Sequence, residues 1–88
     1  MSIKAYAEKE MKRMDQIFSE IKLVSNNSKA KEFFDFAHNY YQDGIHFFKE
    51  EKYEESFEAF IISWAYLDIS LKLNFLKISE NIKKYFTS

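Results

Sequence analysis

Eighty-eight residues make room for one hydrophobic core, burying about 60–65% of the unfolded surface, and leave none for a second. A hydrophobic fraction of 47% with 19% aromatics excludes a disordered chain, and zero Pro with a single Gly disfavours a many-turned β fold. The lack of Cys excludes disulfides, a thiolate nucleophile and Cys-ligated zinc, and a formal net charge of −1 supplies no broad positive field for nucleic acid or an anionic membrane.

The opening stretch MSIKAYAEKEMKRMD lacks the apolar core of a signal peptide, and the longest apolar run, AFIISWAYL, falls far short of a membrane span, so a soluble cytoplasmic protein is expected. From position 2 to 24, Ala7, Met11, Met14, Phe18 and Ile21 are spaced 4, 3, 4 and 3, with Ile17 and Val24 widening the stripe. That spacing predicts one amphipathic helix over the whole span. SNNS at 25–28 is the only polar run of turn formers, and Asn27 or Ser28 caps a second helix over about 29–50. Its seam reads Ala30, Phe34, Ala37, Tyr41, Gly44 and Phe48, with Phe33, Tyr40 and Phe47 beside it. Mid-helix glycine costs about 1 kcal/mol against alanine unless packing requires it, so Gly44 marks a close helix crossing.

After the tight turn KEEKY, a third helix over about 53–73 carries Phe57, Phe60, Trp64, Leu67 and Leu71. Three amphipathic helices joined by short links predict an all-α, three-helix antiparallel up-and-down bundle, a single domain over 1–88. Two continuations are open for the tail, 75–86. Phe75, Ile78, Ile82 and Tyr85 lie 18 residues beyond Phe57, Phe60, Trp64 and Leu67, an offset that restores the same face of an extended third helix. Alternatively the helix stops at Asn74, which tolerates a left-handed cap, and Ser79 begins a short C-terminal helix.

Few residues offer chemistry. Asp68 lies about 100° round the helix from Leu67 and borders the buried seam, where Lys72 at i+4 or Lys31 across the hairpin pairs with it. Asp43 falls roughly 12 Å along the axis from Asp68, too far for a carboxylate dyad, and its expected partners lie near Lys9 to Arg13. His38 and His46 are eight residues apart and cannot share a metal ion, and neither HxxxH nor HExxH occurs, so no metal and no cofactor is expected. With no glycine-rich phosphate loop and no local base beside a serine, no catalytic residue is named. The aromatic cluster Phe33, Phe34, Phe36, Tyr40, Tyr41, Phe47 and Phe48 lacks the basic groove of a single-strand binder, since residues 32–48 contain no Lys or Arg, and it reads as core and interface packing.

Two resemblances meet at YYQDGIHFFKEEKYEESFEAFIISWAYLDISLKLNFL. Tyr40, Gly44, Phe47, Tyr53, Ser56 and Phe60 fall at the offsets of one tetratricopeptide hairpin, with Ser56 and Ser63 where alanine is usual and Asp68 where proline is frequent. No second copy follows, so this likeness is local. Over about residues 30–76 the chain more closely resembles the short archaeal family known as domain of unknown function 357. Its motif positions include Asp43, Gly44, Trp64, Leu67 and Asp68. The resemblance implies a three-helix up-and-down bundle of cytoplasmic, archaeal origin, and it carries no established activity. The family has Gly-Asp where this chain has Glu51-Lys52, and frequently Gly where Asn74 stands.

The first functional expectation is a non-enzymatic protein-interaction or self-association module, a homodimer or a partner-binding adaptor. Its expected surface is Ile62, Tyr66, Ile69, Leu73, Phe75, Leu76, Ile78, Ile82 and Phe86. Residues 50–58 hold five Glu and one Lys while 72–88 hold four Lys and one Glu, so the basic tail is expected to dock on the acidic hairpin tip of a second chain. The alternative is a small-ligand binder or enzyme using Tyr41, Asp43 and His46 around a gap opened by Gly44.

Overall fold

Ser2 accepts a hydrogen bond from the Ala5 N–H at 3.2 Å and caps α1 (Ile3–Glu20) in the computed structural model, which describes residues 2–86. The helix ends earlier than its spacing predicts. Ile21–Leu23 form a short strand, β1, that pairs antiparallel with β2 (Leu76–Ile78) in the register Ile21↔Ile78, Lys22↔Lys77 and Leu23↔Leu76. Both segments alternate apolar, Lys, apolar, so extended backbone turns Ile21, Leu23, Leu76 and Ile78 inward and leaves both lysines exposed.

Asn27 accepts from the Lys29 N–H at 2.8 Å and caps α2 (Ser28–Lys49), and α3 (Tyr53–Lys72) returns alongside it. Both helices stop in the same way. Glu51 and Asn74 take φ values of 62 and 61°, and the residue after each donates its N–H back to the third-last helical carbonyl: Lys52 to Phe47 at 2.9 Å, Phe75 to Ser70 at 2.9 Å. The extended third helix is therefore overturned: the reversal at Asn74 ends α3, and a 3₁₀ helix (Glu80–Tyr85) follows Ser79. These two left-handed residues fall at the two positions where the resemblance implies that glycine is frequent.

Small residues seven apart line the contact between α2 and α3. Ser56 donates to the Gly44 carbonyl at 2.7 Å and Ser63 to the Ala37 carbonyl at 2.6 Å, and the same register brings Ser70 level with Ala30. The Ser70 hydroxyl is buried with no hydrogen-bond partner among the described residues. A methyl added at Gly44 would lie 2.5 Å from the Phe60 ring, which explains a glycine in mid-helix. α1 covers one side of this hairpin, and there Met14, Ile17, Phe60 and Leu67 form the core together with Leu76, Ile82 and Phe86 from the tail.

The tail is thus folded onto its own bundle. The Trp64 indole N–H donates to the Tyr85 carbonyl at 2.9 Å, and its ring stacks on Phe86 at 6.0 Å. The Arg13 guanidinium lies 5.9 Å from the Trp64 ring and 5.8 Å from that of Tyr85. The Tyr85 hydroxyl donates to Gln16 at 2.8 Å, while Ser79 and Asn81 donate to Glu20 at 2.6 and 3.1 Å.

Candidate functional site

The alternative ligand site does not assemble. Tyr41 and Asp43 are two residues apart on α2 and so point about 160° away from each other. Tyr41 turns toward α1, donates its hydroxyl to Asp15 and stacks on Phe18 at 4.6 Å. Burial, with the Asp15 carboxylate adding to it, pushes its pKa up from 10.0 to about 12. Asp43 faces the opposite side of the hairpin, away from Lys9 to Arg13, and His46 is 68% exposed beside Glu50 at 3.4 Å. Gly44 opens no gap, because Phe60 occupies the space.

Asp68 pairs with Lys72 at 2.8 Å, while Lys31 pairs instead with Asp35 at 3.0 Å. The carboxylate is thus a partnered residue at the border of the seam. Trp64 and Leu67, its neighbours in the family motif, are packing residues of the tail clasp and the core. Among the described residues no group of His, Asp and Glu is gathered to hold a metal ion, and no helix is long and apolar enough to cross a membrane.

The nine expected surface residues divide. Leu76, Ile82 and Phe86 are buried in the chain's own core and Ile78 packs against it, so the tail half of that surface is corrected. Its apolar groups are covered by α1 and α3, which sequence spacing could not reveal without the reversal at Asn74. Ile62, Tyr66, Ile69 and Leu73 remain on the side of α3 turned away from α1, Ile69 and Leu73 about half exposed, and Phe75 is half-buried against Phe33.

Those four meet residues from α2 that only the folded hairpin brings to them. Tyr66 contacts the rings of Phe33 at 6.0 Å, Phe36 at 5.4 Å and Tyr40 at 6.1 Å, and Phe33 reaches Phe75 at 6.3 Å. The outcome is a continuous aromatic and aliphatic strip along the outer face of α2 and α3, the face opposite α1. At the hairpin tip it runs into a groove lined by Tyr40, Asp43, Phe47, Glu55, Glu58, Ala59 and Ile62. Among the described residues none of those three carboxylates has a cationic partner. The signal for this strip was present as Phe33, Phe36 and Tyr40 at helical spacing. What was missing was the angular position of α3, whose apolar residues run nearly all the way round.

A family described as "Protein of unknown function (DUF357)" matches residues 5–76. The crystal structure of protein AF1782 from Archaeoglobus fulgidus, a protein of that same family, superimposes with a TM-score of 0.73 at 21% identity, covering 88% of this chain and 93% of that one. That likeness establishes a shared fold. No functionally curated protein matches.

Proposed function

We infer that this chain, which belongs to the DUF357 family of proteins of unknown function, is a non-enzymatic protein-docking module whose docking surface is the outer face of α2 and α3. The observation that carries this is the strip of Phe33, Phe36, Tyr40, Ile62, Tyr66, Ile69 and Leu73, in which Phe36, Ile69 and Leu73 stay exposed and the other four half-buried after the tail has folded back. Contiguous apolar surface on a small chain marks an interaction site, and aromatic residues are the side chains that anchor protein interfaces. A protein surface suits the strip better than nucleic acid does, because its charged rim at the hairpin tip is acidic.

The test is site-specific photo-crosslinking in the cells that make the protein. A benzophenone amino acid in place of Ile69 is expected to give discrete protein adducts, and one in place of Lys12 on α1 to give none. Adducts from both positions alike, or from neither, would sink the assignment of this face.

A further inference from the structure

Resting on the docking reading above, we propose that the outer face is covered by a second copy of this chain in reversed orientation. The acidic hairpin tip of one protomer meets the lysine-bearing sheet end of the other. The strip has the dimensions for this. At 1.5 Å per residue α3 gives it a length of about 30 Å, and two adjacent helices a width of about 20 Å. That is roughly 600 Å² a side, or ~1,200 Å² in total, at the lower end of stable interfaces.

Charge selects both the occupant and its orientation. Residues 50–58 hold five Glu and one Lys around the turn between α2 and α3, and Asp43 lies beside them. At the opposite end of the long axis stand Lys22, Lys29, Lys72 and Lys77. Lys22 and Lys77 sit directly opposite each other across β1 and β2, a like-charge pair that destabilises the strands, and neither has an acidic partner among the described residues. Lys29 and Lys72 pair within the chain, with Glu32 at 3.1 Å and Asp68 at 2.8 Å, in surface i,i+3 and i,i+4 contacts that exchange at little cost. The positive surplus at this end is therefore carried by Lys22 and Lys77, and it faces Asp43, Glu55 and Glu58 of the other tip, unpaired among the described residues.

Two-fold axes in the plane of the face give two packings. An axis parallel to the helices sets acid on acid. An axis perpendicular to them, centred between Phe36 and Tyr66, sets Asp43 near the level of Lys29 of the second copy and the acidic tip with Glu55 toward the end that carries its Lys77, and repeats both by symmetry. This closed arrangement covers both strips at once.

The test is a charge swap on the full chain, read by light scattering and sedimentation equilibrium. The wild-type chain is expected to be a dimer. A tip variant carrying Asp43→Lys and Glu55→Lys, and an end variant carrying Lys29→Glu and Lys77→Glu, are each expected to dissociate with a Kd raised about tenfold or more, with unchanged helical circular dichroism. Mixed one to one, the two variants are expected to recover the dimer as a heterodimer, because every tip again faces an end of opposite charge.

Failure of the mixture to recover the dimer overturns the reversed arrangement. A wild-type chain that stays monomeric to hundreds of micromolar overturns the second copy. If Ile69 then crosslinks to a different protein, the docking surface stands and only its occupant has changed. A wild-type dimer that Ile69→Glu leaves intact would sink the surface itself.

Discussion

At Gly44 helix propensity and packing give opposite signs. Propensity alone makes Gly44→Ala stabilising by about 1 kcal/mol, but the added methyl would meet three atoms of the Phe60 ring at 2.5–2.8 Å. Over-packing of that kind costs about 1–3 kcal/mol, so a net loss of up to about 2 kcal/mol is expected from denaturant unfolding, and a gain would show that the crossing is loose. The serines beside it separate in the same way. Ser63 gives its hydroxyl proton to the Ala37 carbonyl, whereas the buried Ser70 hydroxyl has no partner among the described residues. Ser63→Ala is therefore expected to cost about 1 kcal/mol, and Ser70→Ala to raise stability by a similar amount. Equal effects from the two would show that the hydroxyls do not govern the contact.

Among the elements, the tail departs furthest from what local spacing suggests. Because Ile82 is fully buried, Ile82→Ala is expected to lower stability by about 2–4 kcal/mol, measured by urea unfolding, and to leave self-association at native concentrations unchanged. A loss of association with full stability would return the tail to the surface. The three helices were legible because their apolar residues keep spacings of three and four over about four to five turns. The strand at Ile21–Leu23 was not, since Ile17, Ile21 and Val24 satisfy helical spacing as well as IKL satisfies alternation. Its partner at Leu76–Ile78 lies at the far end of the chain, and nothing local can decide between two patterns that both fit. The outer face was half legible. Ile62, Tyr66, Ile69 and Leu73 could be named from α3, but their aromatic neighbours on α2 depend on how the hairpin is rotated, which Ser56, Ser63 and Ser70 set. The grouping of Tyr41, Asp43 and His46 rested on nearness along the chain, which a helix converts into separate directions.

Over the whole molecule, two titrating groups tie distant segments together and bound the pH range of full stability. Hydrogen bonds from Ser79, Asn81 and Gln16 hold the Glu20 carboxyl below its ordinary pKa of 4.5. A depressed folded pKa contributes stability above the ordinary value and loses it as pH falls through the folded one. Melting temperature is therefore expected to drop as pH is lowered below about 4.5, with a shallower drop in Glu20→Gln. Tyr41 works in the other direction. Its pKa of about 12 stands above the ordinary 10.0, so its contribution is complete below pH 10 and is lost between the two values, a loss that Tyr41→Phe removes. Through these two groups acid acts on the attachment of the tail, and alkali on the seam between α1 and α2. The only tryptophan of the chain lies on the first of these, its indole held by the Tyr85 carbonyl and stacked on Phe86. The protein consequently carries a built-in optical gauge: Trp64 emission reports release of the C-terminal segment, whereas far-ultraviolet dichroism reports the helices. The gap between the two signals during acid titration measures how independently the last dozen residues come away.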